Sequence, residues 1–167
     1  SIARGFEKDS RVKVLDKPHG GLGDTRNYGA ARASGDYLVF VDSDDWIDPE
    51  MLQSLYDSAE QCSADMVVFN FVRENPTDGE QRICKLPVSF PAFDQETQET
   101  LIAELIGPDA GDSPWRQVEM LGCAWRRMFR REWFVHNHLA YFNEQEIMLE
   151  DLPVSIMAHC LTDRVLV

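Results

Sequence analysis

Two carboxylates stand two residues apart, Asp42 and Asp44, inside the run Val39-Phe40-Val41-Asp42-Ser43-Asp44-Asp45-Trp46. The apolar stretch from Tyr37 to Val41 fits a strand buried on both faces. Acids packed just beyond its end cannot share the core, and they repel one another unless a cation or a proton relieves them. On an extended backbone, a spacing of two puts both on one side. Hard oxygen ligands in this pattern suit Mg²⁺ or Mn²⁺, which keep waters and accept phosphate oxygens. In open α/β sheets, ligands sit at the C-terminal ends of strands. The spacing therefore predicts a divalent-metal site at the end of a central strand. An acid-rich turn that caps a helix is the plainer reading, and it suits Asp48 before Pro49 better than it suits Asp42.

A second constellation lies upstream in His19-Gly20-Gly21-Leu22-Gly23-Asp24-Thr25-Arg26-Asn27. Its glycines allow a ligand close to the backbone. The helix that follows offers a free N-terminus to negative charge, and Arg26 and Asn27 add donors. As a phosphate loop it matches neither GxGxxG nor the GxxxxGK[ST] pattern.

The elements that must hold these residues follow from periodicity and breakers. Arg11 to Leu15 alternates as a short strand, and Leu22 to Ala33 reads as a helix that Gly35 ends. Asp36 to Val41 is the central strand. A helix opened by Asp48-Pro49-Glu50 carries Met51, Leu52, Leu55 and Tyr56 and ends near Gln61. Asp65 to Val72 is a further strand. Strand and helix alternate here, which predicts an α/β sheet with parallel crossovers. Beyond a loop at 74–80, Arg82 to Phe90 reads as one or two strands. Asp94 to Ile106 reads as a helix with Leu101, Ile102, Leu105 and Ile106 inward. Gly107 to Pro114 is the best candidate for a mobile loop. Leu121 to Val135 is aromatic, basic and helical in parts. Asp151 to Leu161 reads as a helix and Arg164 to Val167 as a closing strand.

Bulk properties narrow the function. The net charge of −13 argues against a nucleic-acid or anionic-membrane surface, although a bound metal can still neutralise a phosphorylated ligand. No apolar run approaches the roughly 20 residues of a membrane span. The opening Ser1 to Arg11 shows no signal-peptide pattern. Cys62, Cys84, Cys123 and Cys160 are scattered without a CxxC pair, which points to reduced thiols rather than a zinc or redox site.

Taken jointly, Gly20-Gly21-Leu22, Arg26-Asn27-x-Gly29, Ala33-Ser34-Gly35-Asp36-Tyr37 and Phe40-Val41-Asp42-Ser43-Asp44-Asp45-Trp46-Ile47-Asp48-Pro49 resemble the family 2 glycosyltransferases of GT-A fold. The likeness is close over Val12 to Tyr56. Ala124-Trp125-Arg126-Arg127-Met128-Phe129-Arg130-Arg131 is similar to the family's aromatic-basic segment, and Glu150-Asp151-Leu152-Pro153 to its Glu-Asp motif. The resemblance implies an α/β, partial GT-A fold with a mostly parallel central sheet flanked by helices. It implies a single truncated catalytic domain over 1–167, with 1–73 the donor and metal half and 74–167 the acceptor half.

The activity it implies is inverting, metal-dependent transfer of a sugar from a nucleotide-diphospho-sugar to a saccharide or lipid-linked acceptor. The implied setting is cell-surface polysaccharide synthesis in the bacterial cytoplasm, at the inner face of the membrane. Asp42 and Asp44 would hold Mn²⁺ or Mg²⁺ against the diphosphate. Gly20, Gly21, Arg26, Asn27 and Ser43 would lie along the donor. Asp151 would be the general base and Glu150 would help shape the acceptor site; capping of the next helix is the plainer role for that acid pair.

The sequence departs from the family pattern at His19, at Gly23-Asp24-Thr25, and at Arg126-Arg127, where Asn-Lys is usual. Trp115, Trp125 and Trp133 could stack on a sugar or belong to the core. Family members also begin with a strand bearing Pro-x-Tyr-Asn, a helix, and a strand ending in Asp-Asp-Gly-Ser, none of which is found here. The expectation is a sheet whose exposed edge invites pairing with another chain. Two other readings compete. One is a non-catalytic module of the same fold. The other is a haloacid-dehalogenase-type phosphatase, which wants Thr or Val where Trp46 stands.

Overall fold

The structure, a computed structural model, describes residues 2–86, 95–106, 121–162 and 164–166. In chain order these form α1 (Gly21–Ala30), β1 (Tyr37–Val39), α2 (Met51–Cys62), β2 (Met66–Val68), β3 (Phe71–Glu74), β4 (Gln81–Cys84), α3 (Gln95–Ile106), β5 (Arg127–Arg130), α4 (Arg131–His136), α5 (Leu152–Leu161) and β6 (Val165–Leu166). Single 3₁₀ turns lie at Ala3–Phe6 and Ala124–Arg126.

The main sheet has the order β1-β5-β2-β6. Strand β5 is antiparallel to both β1 and β2, and β2 is parallel to β6. Three strands thus share one direction, while β5 is inserted against them and makes the sheet mixed; β1, expected as a central strand buried on both faces, lies at an edge of the described sheet with only Leu38 of its three residues buried. Strands from before and after residue 74 alternate across it, so the segments 1–73 and 74–167 share one sheet. Strands β3 and β4 form a separate hairpin.

Period-two alternation sorts the core into two layers. Leu38, Met66, Phe129 and Val165 face one side, where they meet Leu101 and Leu105 of α3 and Val154 and Ala158 of α5. Val67, Met128 and Leu166 face the other and meet Leu55 and Ala59 of α2. In α2 the inward stripe is Met51, Leu55 and Ala59, while Leu52 and Tyr56 are exposed. In α3, Leu101 and Leu105 are buried but Ile106 is 68% exposed, so it does not point inward as expected.

Several boundaries differ from the sequence reading. Arg11 to Leu15 forms no strand. Val12 and Leu15 are exposed, and a short alternating segment without a paired neighbour gains too little to stay in a ladder. The run from Asp65 to Val72 is split between β2 and β3, with Phe69-Asn70 between them. The Leu121 to Val135 segment contains a central strand, β5, rather than helix alone. Its alternation is masked because Met128 and Phe129 are both apolar and pack into opposite layers. The expected loop Gly107–Pro114, Trp115 and the end of the Arg82–Phe90 segment lie outside the described residues. All four cysteines are free thiols.

Candidate active site

Helix α1 starts where Gly21 takes φ +89°, a left-handed conformation suited to glycine. A Cβ on Gly23 would lie 1.9 Å from the Phe142 carbonyl oxygen. That close approach seats α1 on the 141–142 backbone. Asn27 completes the seat: its Nδ2 donates to the Tyr141 carbonyl at 2.8 Å, and its Oδ1 accepts from the Tyr141 N–H at 2.8 Å. One turn of helix away from that seat, Arg26 is 7% exposed.

The Arg26 guanidinium joins two distant acids. Nη1 donates to Glu150 Oε1 at 2.5 Å, across 124 residues of chain, and Nη2 donates to Asp42 Oδ1 at 3.1 Å. The same guanidinium lies 5.3 Å from the Tyr141 ring centre. Burial opposes its charge, but Asp42 and Glu150 outweigh that and raise its pKa. The burial of Tyr141 likewise pushes its phenol well above the ordinary value and keeps it neutral.

Asp151 is held separately. It precedes α5 but makes no side-chain cap; Oδ2 instead accepts the Ala124 N–H at 3.1 Å. The Leu121–Ala124 loop that presents this N–H is clamped from two sides. Buried Arg127 donates to the Cys123 carbonyl at 2.8 Å and the Leu121 carbonyl at 2.5 Å. Ser155 Oγ donates to the Gly122 carbonyl at 2.6 Å. Burial lowers the Arg127 pKa to about 10, so it remains charged at neutral pH. Burial, reinforced by Asp151, pushes the Cys123 thiol up to about 11, so it is no thiolate nucleophile.

The Asp-x-Asp acids diverge in environment. Asp42 is partly buried against Arg26. Ser43 and Asp44 are exposed in a turn closed by the Asp45 N–H on the Asp42 carbonyl at 3.1 Å. Burial, then the charges of Asp44 and Asp42, raises the Asp45 pKa. Asp44 and Asp45 line a cleft of about 620 Å³ with Trp46, Phe71 and Trp125. Asp48 does serve the turn before α2: Oδ1 accepts the Glu50 N–H at 2.8 Å. The helix itself begins at Met51, two residues beyond the expected Pro49.

The fold therefore gathers Arg26, Asp42 and Glu150 in one network, with Asp151 on the adjoining loop. The chain belongs to glycosyl transferase family 2. The model of that family matches residues 1–136. The chain is 30% identical over 165 residues to an uncharacterized glycosyltransferase, EpsJ, of Bacillus subtilis, covering 98% of this chain and 44% of the relative. It is 28% identical over 160 residues to a putative glycosyltransferase, EpsH, of the same organism, covering 95% and 42%. The chain thus spans less than half the length of these relatives. The fold is shared with Staphylococcus aureus TarS 1-349, solved in complex with UDP-GlcNAc, at a TM-score of 0.65 and 20% identity over 99% of this chain and 42% of that one.

Within this family 2 glycosyltransferase domain, the remaining motif residues take specific places. At the N-terminus of α1 the chain supplies its own anion: the Leu22 N–H donates to Glu144 Oε2, beside Gly21. A phosphate at that amide would compete with Glu144. Gly20 faces Asp24 and Lys17. Arg126 and Arg127 are both fully buried and bind backbone carbonyls, with Arg126 Nε on the Phe69 carbonyl at 2.8 Å. They brace the fold rather than face a ligand. Trp133 packs against the core. His19 is an exposed loop residue. Among the described residues, no helix is long and apolar enough to cross a membrane.

The clamp on Asp151 and the pairing of Glu150 with Arg26 were not read from the sequence. Ser155, one turn after Asp151 on the same helix, was a visible signal, because a small hydroxyl there can reach back to a neighbouring carbonyl.

Proposed function

We propose that the chain carries catalytic machinery for inverting, divalent-metal-dependent transfer of a sugar from a nucleotide-diphospho-sugar to an acceptor hydroxyl, in the synthesis of a cell-surface saccharide. The carrying observation is the Arg26 bridge, which ties the end of β1 to the residue preceding Asp151. An acid of the donor side and the neighbour of the base are thereby tied to one guanidinium.

The metal requirement fits the residues present in a particular way. Among the described residues no group of three or more His, Cys, Asp or Glu could cage an ion. A site of one or two carboxylates completed by substrate phosphates and water is, however, the usual arrangement for Mg²⁺. Asp44 has an exposed carboxylate and Asp42 an Oδ2 not used by Arg26, so these two would hold Mn²⁺ or Mg²⁺. The ion would supply charge neutralisation to the departing diphosphate. Ser43, the Gly20-Gly21 turn and Asn27 belong to the donor side. Arg26 acts there through Asp42, since both of its terminal nitrogens are occupied by acids.

Asp151 is the general base. Its Oδ2 is fixed by Ala124, which leaves Oδ1 for the acceptor hydroxyl. The acceptor oxygen bonds to the anomeric carbon from the face opposite the diphosphate and inverts it. The bond to the phosphate oxygen breaks, the diphosphate leaves, and the hydroxyl proton passes to Asp151. Glu150 holds Arg26 and so shapes the wall beside this base.

Asp151→Asn tests the assignment. Donor binding with Mn²⁺, measured by calorimetry, is expected to be unchanged, while transfer falls by about 10²–10⁴-fold. Transfer retained in that variant would place the base elsewhere. The competing module reading predicts no tight Mn²⁺-dependent nucleotide site in the parent chain.

A further inference from the structure

We infer that the cleft between the Asp44–Asp48 turn and the β3–β4 hairpin is a subsite for an uncharged saccharide ring of the acceptor, with Trp46 and Trp125 as its stacking surfaces. Calling the occupant an acceptor rests on the transferase reading; the saccharide site itself does not.

The cleft has the size of a small-ligand site, about 620 Å³. Trp46 is 61% exposed on its wall, although an indole would bury readily if the fold needed it for the core. Trp125 also lines the cleft and has a fixed support. It meets the Phe71 ring edge-on at 4.9 Å. Phe71 in turn lies under the Arg126 guanidinium at 5.0 Å, and Arg126 is anchored on the Phe69 carbonyl. The buried arginine, which stands where the family pattern usually has Asn, thus holds an aromatic wall in place.

Electrostatics select the occupant. Among the described lining residues, Asp44, Asp45, Asp48 and Glu74 outnumber the one cation, Arg73. A negatively charged acceptor would be repelled, whereas carboxylates and the Asn70 amide can hydrogen-bond the hydroxyls of a neutral sugar. Position supports the same assignment. One wall carries Asp44 of the donor side, and Trp125 follows Ala124, whose N–H holds Asp151. A sugar stacked here lies beside Asp44 of the donor side.

The test follows indole N–H resonances during titration of the full chain. The four tryptophans give separable signals, assigned by single variants. The probes are lactose, maltose and diacetylchitobiose as neutral disaccharides, with digalacturonate as the anionic one. At least one neutral disaccharide should shift the Trp46 and Trp125 signals in the millimolar range, and digalacturonate should not. Trp46→Ala should weaken that binding about five- to ten-fold, as loss of one aromatic stack predicts. Trp125→Phe keeps a ring in the half-buried position and should weaken it less. Absence of binding by every neutral probe, equal binding of digalacturonate, or unchanged affinity in Trp46→Ala would overturn the inference. The readout needs no turnover. Saccharide binding without any transfer would count against the transferase reading alone, and transfer with saccharide bound elsewhere against the cleft alone.

Discussion

Asp42 and Asp44 belong to one motif yet lie in opposite worlds. Asp42 is partly buried and fastened to Arg26, which is itself buried and shared with Glu150. Asp44 is exposed on the rim of a cleft, beside Asp45 and Trp46. The first region is a closed polar network in which both terminal nitrogens of Arg26 are taken by acids, while its buried Nε has no hydrogen-bond partner among the described residues. The second leaves its acids open to a ligand. The contrast teaches that two acids of one Asp-x-Asp pair can sit in different surroundings: one is fastened to a buried arginine and the other is left exposed at a cleft.

Removing the guanidinium is the harshest way to break that contrast. Arg26→Ala strands Glu150 and Asp42 beside each other, and loss of one partner of a buried pair costs about 3–5 kcal/mol. Urea unfolding should show a correspondingly large fall in midpoint, with Arg26→Lys intermediate because a point charge cannot serve both acids. A near-neutral Arg26→Ala would mean that the network is not closed.

The buried side of the molecule also has its own pH signature. His159 of α5 is fully buried, and burial, then the Arg127 charge, holds its pKa well below the ordinary 6.5. The unfolded chain therefore takes up this proton first. Stability is fully present above about pH 6.5 and falls as pH drops below it, by up to ~1.4 kcal/mol per pH unit. His159→Leu should remove that component. Urea midpoints at pH 7.5, 6.0 and 5.0, compared between parent and variant, measure the difference; parallel slopes would refute it.

The smallest expected effect lies on the open side. Asp44→Ala should change stability by no more than about 0.5 kcal/mol, as for an exposed residue without structural partners, while abolishing Mn²⁺-dependent donor binding in calorimetry. A large loss of stability would show that Asp44 belongs to the closed network after all.

Much of the fold was legible because local signals agreed with the tertiary outcome. The Gly-rich start of α1, Met51 and Leu55 of the α2 stripe, and Pro153 at the head of α5 all follow local rules, whereas Leu52 and Tyr56, read into the same stripe, are exposed and Ala59 takes the inward place. Strand β5 was less legible, since both layers of the sheet are apolar and Met128-Phe129 carries no alternation to read. The Arg11 to Leu15 segment misled for the opposite reason: it alternates, but no neighbour pairs with it in the described structure.

Residue types and spacing by themselves determined the chemistry on offer: hard acids after an apolar run, a Gly-rich helix start, and a second acid pair before Pro153. Through the family likeness they also pointed to Asp42, Asp44, Glu150 and Asp151 as the acids to follow. Only the tertiary structure decided how those residues are used. It paired Arg26 with Glu150 across 124 residues, and it put Arg126 and Arg127 inside rather than at a ligand. It gave Asp151 to the Ala124 N–H instead of to its own helix, and it opened a cleft between Trp46 and Trp125. The physical reason is that a charge's role is set by its solvation and its partners, and both depend on chain segments that sequence spacing does not bring together.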